Sequence, residues 1–342
     1  MSITTHERPG VYSDYDASTV ISTSGGGQTA GLVAVCAGGE AGTLYVINRY
    51  EEAATAFGQE ENLTELVRLL LLNGAAQVRA VPVTDESGYD AAFSLLAAEE
   101  NVALVLCDST DVTVQQKLRD SVCGASEARR ERIAVVCGGT EESVEDLVQR
   151  AGQLNSERVV LLAPGDDGCL LAAAVAGAIA GESDAALPLS GAELKGVSQT
   201  QAQYDDSEID TLVRGGVTPL ERVGGVVSVV RGITTRTKTG EVSDATWREL
   251  TTIRIVDDVI PTIRNALRAK FQRSKNTEQT RGAIRSQVIL ELENKLSREI
   301  ITGYENVTVQ ADAENPTVCL VEFSFTVAHG LNQIWLSAHI TV

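Results

Sequence analysis

The sequence predicts an α/β domain with a mostly parallel sheet, then an α+β domain, with an extended, strand-like arm at each terminus. Two observations carry this. Between Thr29 and Gly181, continuous Val/Leu/Ile runs alternate with amphipathic stretches, the pattern of strands buried on both faces between helices. Beyond residue 200 the texture changes to β-branched runs, two long amphipathic stretches and a hairpin pattern. A chain of 342 residues suits two such domains, and its 43% hydrophobic content is enough for real cores.

Residues 1–24 hold few apolar side chains, chiefly Val11, Tyr12, Tyr15, Val20 and Ile21. Pro9 and Gly10 stop any helix and VYSDYD alternates weakly, so this is an arm whose strand cannot bury itself. Gly25, Gly26 and Gly27 read as a flexible joint. TAGLVAVCA is a buried strand ending at Gly38-Gly39, and TLYVIN is a second. NLTELVRLLLLNG is a helix, with Asn62 as N-cap and Gly74 just past its end. AQVRAVPV, NVALVLCD, RIAVVCGG and RVVLLAPG are strands. DESGYDAAFSLLAAEE, TVQQKLRDSVCGASEARR and EESVEDLVQRAGQL are the helices between them, and GCLLAAAVAGAIAG is a buried helix of small residues.

Residues 183–225 read as loop-rich. VVSVVRGI at 226–233 and LTTIRIV at 250–256 read as strands. The stretch 259–271 is a helix with Ile260, Ile263, Leu267 and Phe271 on one face. A second helix carries Ile284, Val288, Leu292, Leu296 and Ile300. NVTVQ and TVCLVEFSFTV form a hairpin about a turn at 313–316. In the closing IWLSAHITV, Ile334, Leu336, Ala338, Ile340 and Val342 alternate with Trp335, Ser337, His339 and Thr341. Such a strand needs a sheet edge, from its own chain or another. The expected divisions are 1–24, 25–200, 201–330 and 331–342.

The formal net charge is −19 and is unevenly spread. Residues 1–213 hold 12 basic and 33 acidic groups, whereas 214–300 hold 16 and 10. The acidic balance argues against nonspecific nucleic-acid binding and against an anionic membrane surface. Arg264, Arg268, Lys270, Arg273, Lys275, Arg281 and Arg285 make a basic cluster, either a solvated helical face or a partner surface.

Catalytic motifs are sparse. There is no G-x-x-x-x-G-K-[ST], and the glycine stretch before Thr29 leads into a strand, so it cannot offer helix N–H groups to a pyrophosphate. The histidines are His6, His329 and His339, and no G-x-S-x-G elbow occurs. Asp108, Asp166 and Asp167 end strands, where open α/β sheets bind ligands, but aspartates there also cap turns and helices. Cys36, Cys107, Cys123, Cys137, Cys169 and Cys319 show no paired spacing and are expected to be reduced, with no metal site. MSITTHERPG has no apolar run of the kind a secretion signal needs, and the longest apolar run, 170–181, is too short to span a bilayer.

Four segments resemble contractile tail sheath proteins of myophages, prophage remnants and R-type bacteriocins. They are ERPGVYSDYDAS, YDDSEIDTLVRGGVTPLERVGGVVSVVRGITT, VDDVIPTIRNALRAKF and GLNQIWLSAHITV. The resemblance implies a structural subunit, not an enzyme, that needs no cofactor. Such subunits stack as six-membered rings around an inner tube and contract to drive it through a target envelope. The α/β domain would lie outside and the α+β domain would face the tube with the basic cluster. Residues 11–21 and 334–342 would add strands to neighbouring subunits. The implied partners are the chain itself, the tube protein, and baseplate and tail terminator proteins. Assembly would occur in the bacterial host cytoplasm, and the subunit would then be part of the particle. The competing readings are a doubly wound ligand-binding enzyme using Asp108 and Asp166, and another self-assembling shell protein.

Overall fold

The computed structural model describes residues 27–332 and residue 337. In chain order the elements are β1 (Thr29–Val35), β2 (Tyr45–Ile47), α1 (Tyr50–Phe57), α2 (Asn62–Asn73), β3 (Gln77–Val83), α3 (Tyr89–Ala98), β4 (Val102–Cys107) and α4 (Val112–Glu127). There follow β5 (Ile133–Cys137), α5 (Val144–Leu154), β6 (Val159–Ala163), α6 (Leu170–Gly181), β7 (Glu193–Leu194), α7 (Asp206–Arg214), β8 (Thr218–Val223) and β9 (Val226–Val229). The last are β10 (Lys238–Thr239), β11 (Val242–Ser243), α8 (Leu250–Phe271), α9 (Glu278–Ser297), β12 (Ile301–Ala311) and β13 (Cys319–Val327).

Nine strands form one sheet in the order β2-β3-β1-β4-β5-β6-β8-β9-β7. The six from β3 to β8 run parallel, and β2, β9 and β7 pair antiparallel at the two ends. Successive side chains of a strand point to opposite faces. Leu32, Ala34, Leu104 and Leu106 enter one core with α2 and α6, and Val33, Val105 and Cys107 enter the other with α3, α4 and α5. Burial on both faces is why these strands read as unbroken apolar runs.

Helix α6 is small-residue because it lies against α2 with almost no gap. A Cβ added at Gly177 would come within 2.6 Å of the Leu70 carbonyl oxygen and 2.7 Å of Asn73 Cβ.

Four expectations are corrected. Residues 250–256 are the first two turns of α8, not a strand. Leu250 and Ile253 reach the sheet core, and Ile255, Val259 and Ile263 reach a second core, a helical period that overrides the β-branched composition. The loop-rich stretch 183–225 holds β7, α7 and β8. Helix α7 opens on a capping box in which Asp205 and Glu208 each bond the other's backbone N–H. With β8 and β9 in place, the sheet runs past the boundary expected at residue 200. Helix α1 was not anticipated, and Glu61 holds the N-cap position of α2 while the Asn62 amide reaches the Gly168 carbonyl. Finally, Cys137 and Cys169 are joined as a disulfide. They close the ends of neighbouring chain passes, a proximity that a 32-residue separation hides.

The second module packs α8, α9 and the β12–β13 hairpin around Val259, Ile263, Val288, Leu292, Ile301 and Val307. Charges tie it to the sheet. The Arg158 guanidinium donates both ends to Asp257, at 2.8 and 2.9 Å. Arg264 donates to Glu131 at 2.6 Å, and Arg254 donates to the carbonyls of Glu182 and Leu187. Within the module Lys295 donates to Asp258 at 2.6 Å. Among the described residues no helix is long and apolar enough to cross a membrane.

Replacing Gly177 by Val should overpack the α2–α6 contact and cost about 1–3 kcal/mol. Chemical denaturation would show this as a lower midpoint at unchanged slope; an unchanged midpoint would contradict the close packing.

Candidate functional site

The carboxyl ends of the parallel strands are the first place to look for a ligand site. There Asp108 has both oxygens engaged: Oδ2 accepts the Val35 N–H at 3.0 Å and Oδ1 accepts the Tyr89 hydroxyl. Burial raises the Asp108 carboxyl above its ordinary range, and these bonds oppose the rise. The residue ties β1, β4 and α3 together, so its hydrogen bonds serve the scaffold. Asp166 differs. Its Oδ2 accepts the Leu171 N–H at 3.1 Å, but Oδ1 is buried with no partner. Burial pushes this carboxyl up to about 6. It lines an open cleft of about 520 Å³ with Glu65, Asp167 and Thr200. His329 is exposed, in a shallow cleft beside Leu187, Pro188 and Leu331. His6 and His339 lie outside the described residues.

The basic cluster does not form one face. Arg264 turns back to Glu131, holding that carboxyl below its usual range against the opposing effect of burial. Lys270 donates to Gln287 on α9. Arg285 donates to the Val307 carbonyl of β12 at 2.9 Å, and Arg281 to the Asn276 side chain at 3.0 Å. Arg268, Arg273 and Lys275 are exposed and make no ion pair among the described residues. They run along the end of α8 and into the turn before α9.

A signal missed in the sequence is Arg129-Arg130-Glu131-Arg132, a basic run inside the acidic region. Arg132 is buried and caps the end of α3, donating to the carbonyls of Leu96 and Glu99. Burial lowers its pKa to about 10, so it stays charged at neutral pH. The regional charge count averages this run away.

Strand edges are the second candidate surface. β12 and β13 pair only with each other among the described residues. Val321, Phe323, Phe325 and Val327 pack on the second core, while Leu320, Glu322, Ser324 and Thr326 are exposed. Each outer edge therefore presents an unpaired row of backbone N–H and C=O groups, a template for an added strand.

The expected arm residues Val11, Tyr12, Tyr15, Val20, Ile21, Ile334, Trp335, Leu336, Ile340 and Val342 lie outside the described residues, as do Gly25 and Gly26. Gly27 is described, and it is a packed position: a Cβ there would run into the Gly74 carbonyl oxygen. Next to it Gln28 donates to Ala180 and accepts from Ala76. Gly27 is therefore held by packing and not a free hinge position.

Two family models match the chain: the phage tail sheath protein central domain over residues 85–235 and the phage tail sheath C-terminal domain over residues 242–341. The chain belongs to the contractile tail sheath proteins, a family of structural proteins and not of enzymes. A tail sheath protein of Bacillus phage SP01 is 29% identical over 228 residues, 62% of this chain. The match spans 39% of that relative's length. Among solved structures, a chain in the anti-feeding prophage baseplate superposes with a TM-score of 0.76 at 15% identity, over 99% of this chain and 100% of that one. The anti-feeding prophage helical sheath in the contracted state gives 0.71 at 17% identity, over 98% and 99%. A sheath tail protein from Desulfitobacterium hafniense gives 0.69 at 12% identity, over 93% and 100%. These likenesses establish the shared fold.

The folded Asp166 pKa stands above the ordinary carboxylate value, so the native state holds this proton more firmly than the unfolded chain. Stability falls as pH rises from about 4 to about 6, and the penalty persists above that window. Asp166→Asn keeps an acceptor for the Leu171 N–H and removes the charge. It should stabilise the protein by about 1–3 kcal/mol at pH 7.5 and by almost nothing at pH 4. Equal melting-temperature differences at the two pH values would refute the assignment.

Proposed function

We propose that this chain is the subunit of a contractile tail sheath, stacked in six-membered rings around an inner tube and contracting to drive that tube through a target envelope. The observation that carries the reading is that residues 85–235 and 242–341 match the central and C-terminal domain models of phage tail sheath proteins. The open edges of the β12–β13 sheet supply what the arms need. Residues 11–21 and 334–342 of neighbouring subunits add strands there, as other proteins accept an extended segment on a sheet edge. Each ladder bond contributes about 0.5–1.5 kcal/mol net. A strand's worth of them holds neighbours together, and backbone pairing persists while subunits turn relative to one another. No nucleotide is consumed, because the extended sheath stores its free energy when it assembles.

The α+β module faces the tube, and Arg268, Arg273 and Lys275 carry the contact with an acidic tube surface. Exposed pairs contribute about 0.2–1 kcal/mol each, enough to template assembly and weak enough to release. The acidic 29–213 region faces solvent, where its charge keeps free subunits apart. The remaining partners are baseplate and tail terminator proteins, met in the host cytoplasm before the particle is released. The enzyme reading is not favoured, because the matched family is one of structural proteins.

Electron microscopy of the chain co-expressed with its tube protein should show helical sheaths with a filled central channel. Deleting residues 1–22 or 334–342 should leave folded subunits that form none; ordered sheaths from either deletion would overturn the arm reading. Arg268→Glu, Arg273→Glu and Lys275→Glu together should give folded subunits that no longer co-sediment with tubes. Normal tube-filled sheaths from that variant would overturn the inward orientation.

A further inference from the structure

The fold brings the missed arginine run and the tube-facing helix to one place. A cleft of about 550 Å³ lies between the amino-terminal ends of β1 and β4 and the second half of α8. Its walls include Gly27, Arg129, Arg130, Glu131, Arg264 and Arg268. Two of its carboxylates are already matched, Glu131 by Arg264 and Asp257 by Arg158. Arg129, Arg130 and Arg268 then line the cleft with the single further carboxylate of Glu100, while the buried Arg132 is held by backbone carbonyls. Arg129 and Arg268 are exposed without an ion-pair partner among the described residues, and Arg130 Nε is buried without a hydrogen-bond partner. This is a concentrated positive site in a chain of net charge −19.

The same cleft is where residues 1–26 join the fold, because Gly27 is part of its wall. That segment carries Glu7, Asp14 and Asp16 against one base, Arg8. Asp16 is eleven residues before Gly27, and at about 3.3–3.6 Å per residue it can turn back into the cleft with chain to spare. Tethering raises the local concentration of the segment, so weak charge pairs suffice. A long polyanion such as nucleic acid would meet the repulsion of the whole acidic chain, whereas two carboxylates on a short tether do not.

We propose that in the free subunit residues 11–21 of the same chain lie in this arginine cleft, an autoinhibitory contact that withholds both the arm and Arg268 until assembly draws the arm out. The idea rests on the sheath reading for its purpose, but the contact itself is a property of the isolated chain. Its failure is therefore distinguishable from failure of the sheath reading, which microscopy decides.

The test uses the purified full-length chain without tube. Arg129→Lys with Arg268→Lys keeps the charge and supplies amines for carbodiimide coupling. Mass spectrometry should find these positions joined to Asp14 or Asp16, and mixing light and heavy isotope-labelled chains should give no light–heavy pairs. Coupling no greater than in urea-unfolded chain would overturn the proposal, and so would a predominance of light–heavy pairs, which would mean that another copy's segment fills the cleft. Independently, chymotrypsin should cut after Tyr12 and Tyr15 about tenfold faster in Arg129→Glu with Arg268→Glu than in the unaltered chain, the factor two exposed charge pairs supply. Equal cleavage rates would also overturn it. If the Glu variant does not fold, the coupling experiment on the Lys variant decides alone.

Discussion

Helix α8 belongs to two cores at once, and the rest of the molecule is arranged around that fact. Its first turns bury Leu250 and Ile253 against the nine-stranded sheet, and its next turns bury Val259 and Ile263 in the second module. Neither end can move without opening a core. Pro261 withdraws one N–H from the middle of this rod, and a turn earlier Asp257 and Asp258 make ion pairs to Arg158 and Lys295. A rod pinned this way joins the two modules through packed side chains.

Charge is distributed to suit the same division. The acidic groups of the sheet domain largely remain in solvent, while arginines are spent on joints between modules: Arg158 to Asp257, Arg254 to two carbonyls, Arg264 to Glu131. Partly buried pairs of this kind contribute little beyond their desolvation cost, but losing one partner strands the other. They fix geometry more than they add stability. On α8 and the turn after it, Arg268, Arg273 and Lys275 stay exposed with no ion pair among the described residues.

A sheet of two strands is marginal alone. Here β12 and β13 persist because α8 and α9 cover one face through Val321, Phe323 and Phe325. The helices cover a face and not an edge. Backbone pairing groups at the edges therefore remain available, which in most proteins is a hazard.

By itself the sequence determined the parallel sheet, because only strands buried on both faces sustain runs such as GLVAV, VALVLC and RVVLLA. Asp111 before α4 carried a local N-cap signal that went unread. Asp205 and Glu208 carried an equally local capping-box signal for α7, which was legible and overlooked. Residues 250–256 were ambiguous in principle: a β-branched run of seven fits a strand or a buried helix turn, and only the two cores that claim alternate sides of α8 decide it. The basic surface was half legible. Composition located positive charge on α8, but which arginines are free depends on contacts such as Arg264 to Glu131, 133 residues apart. Side-chain partners separated by that distance in the chain are set by the packing of modules, and no local pattern encodes them.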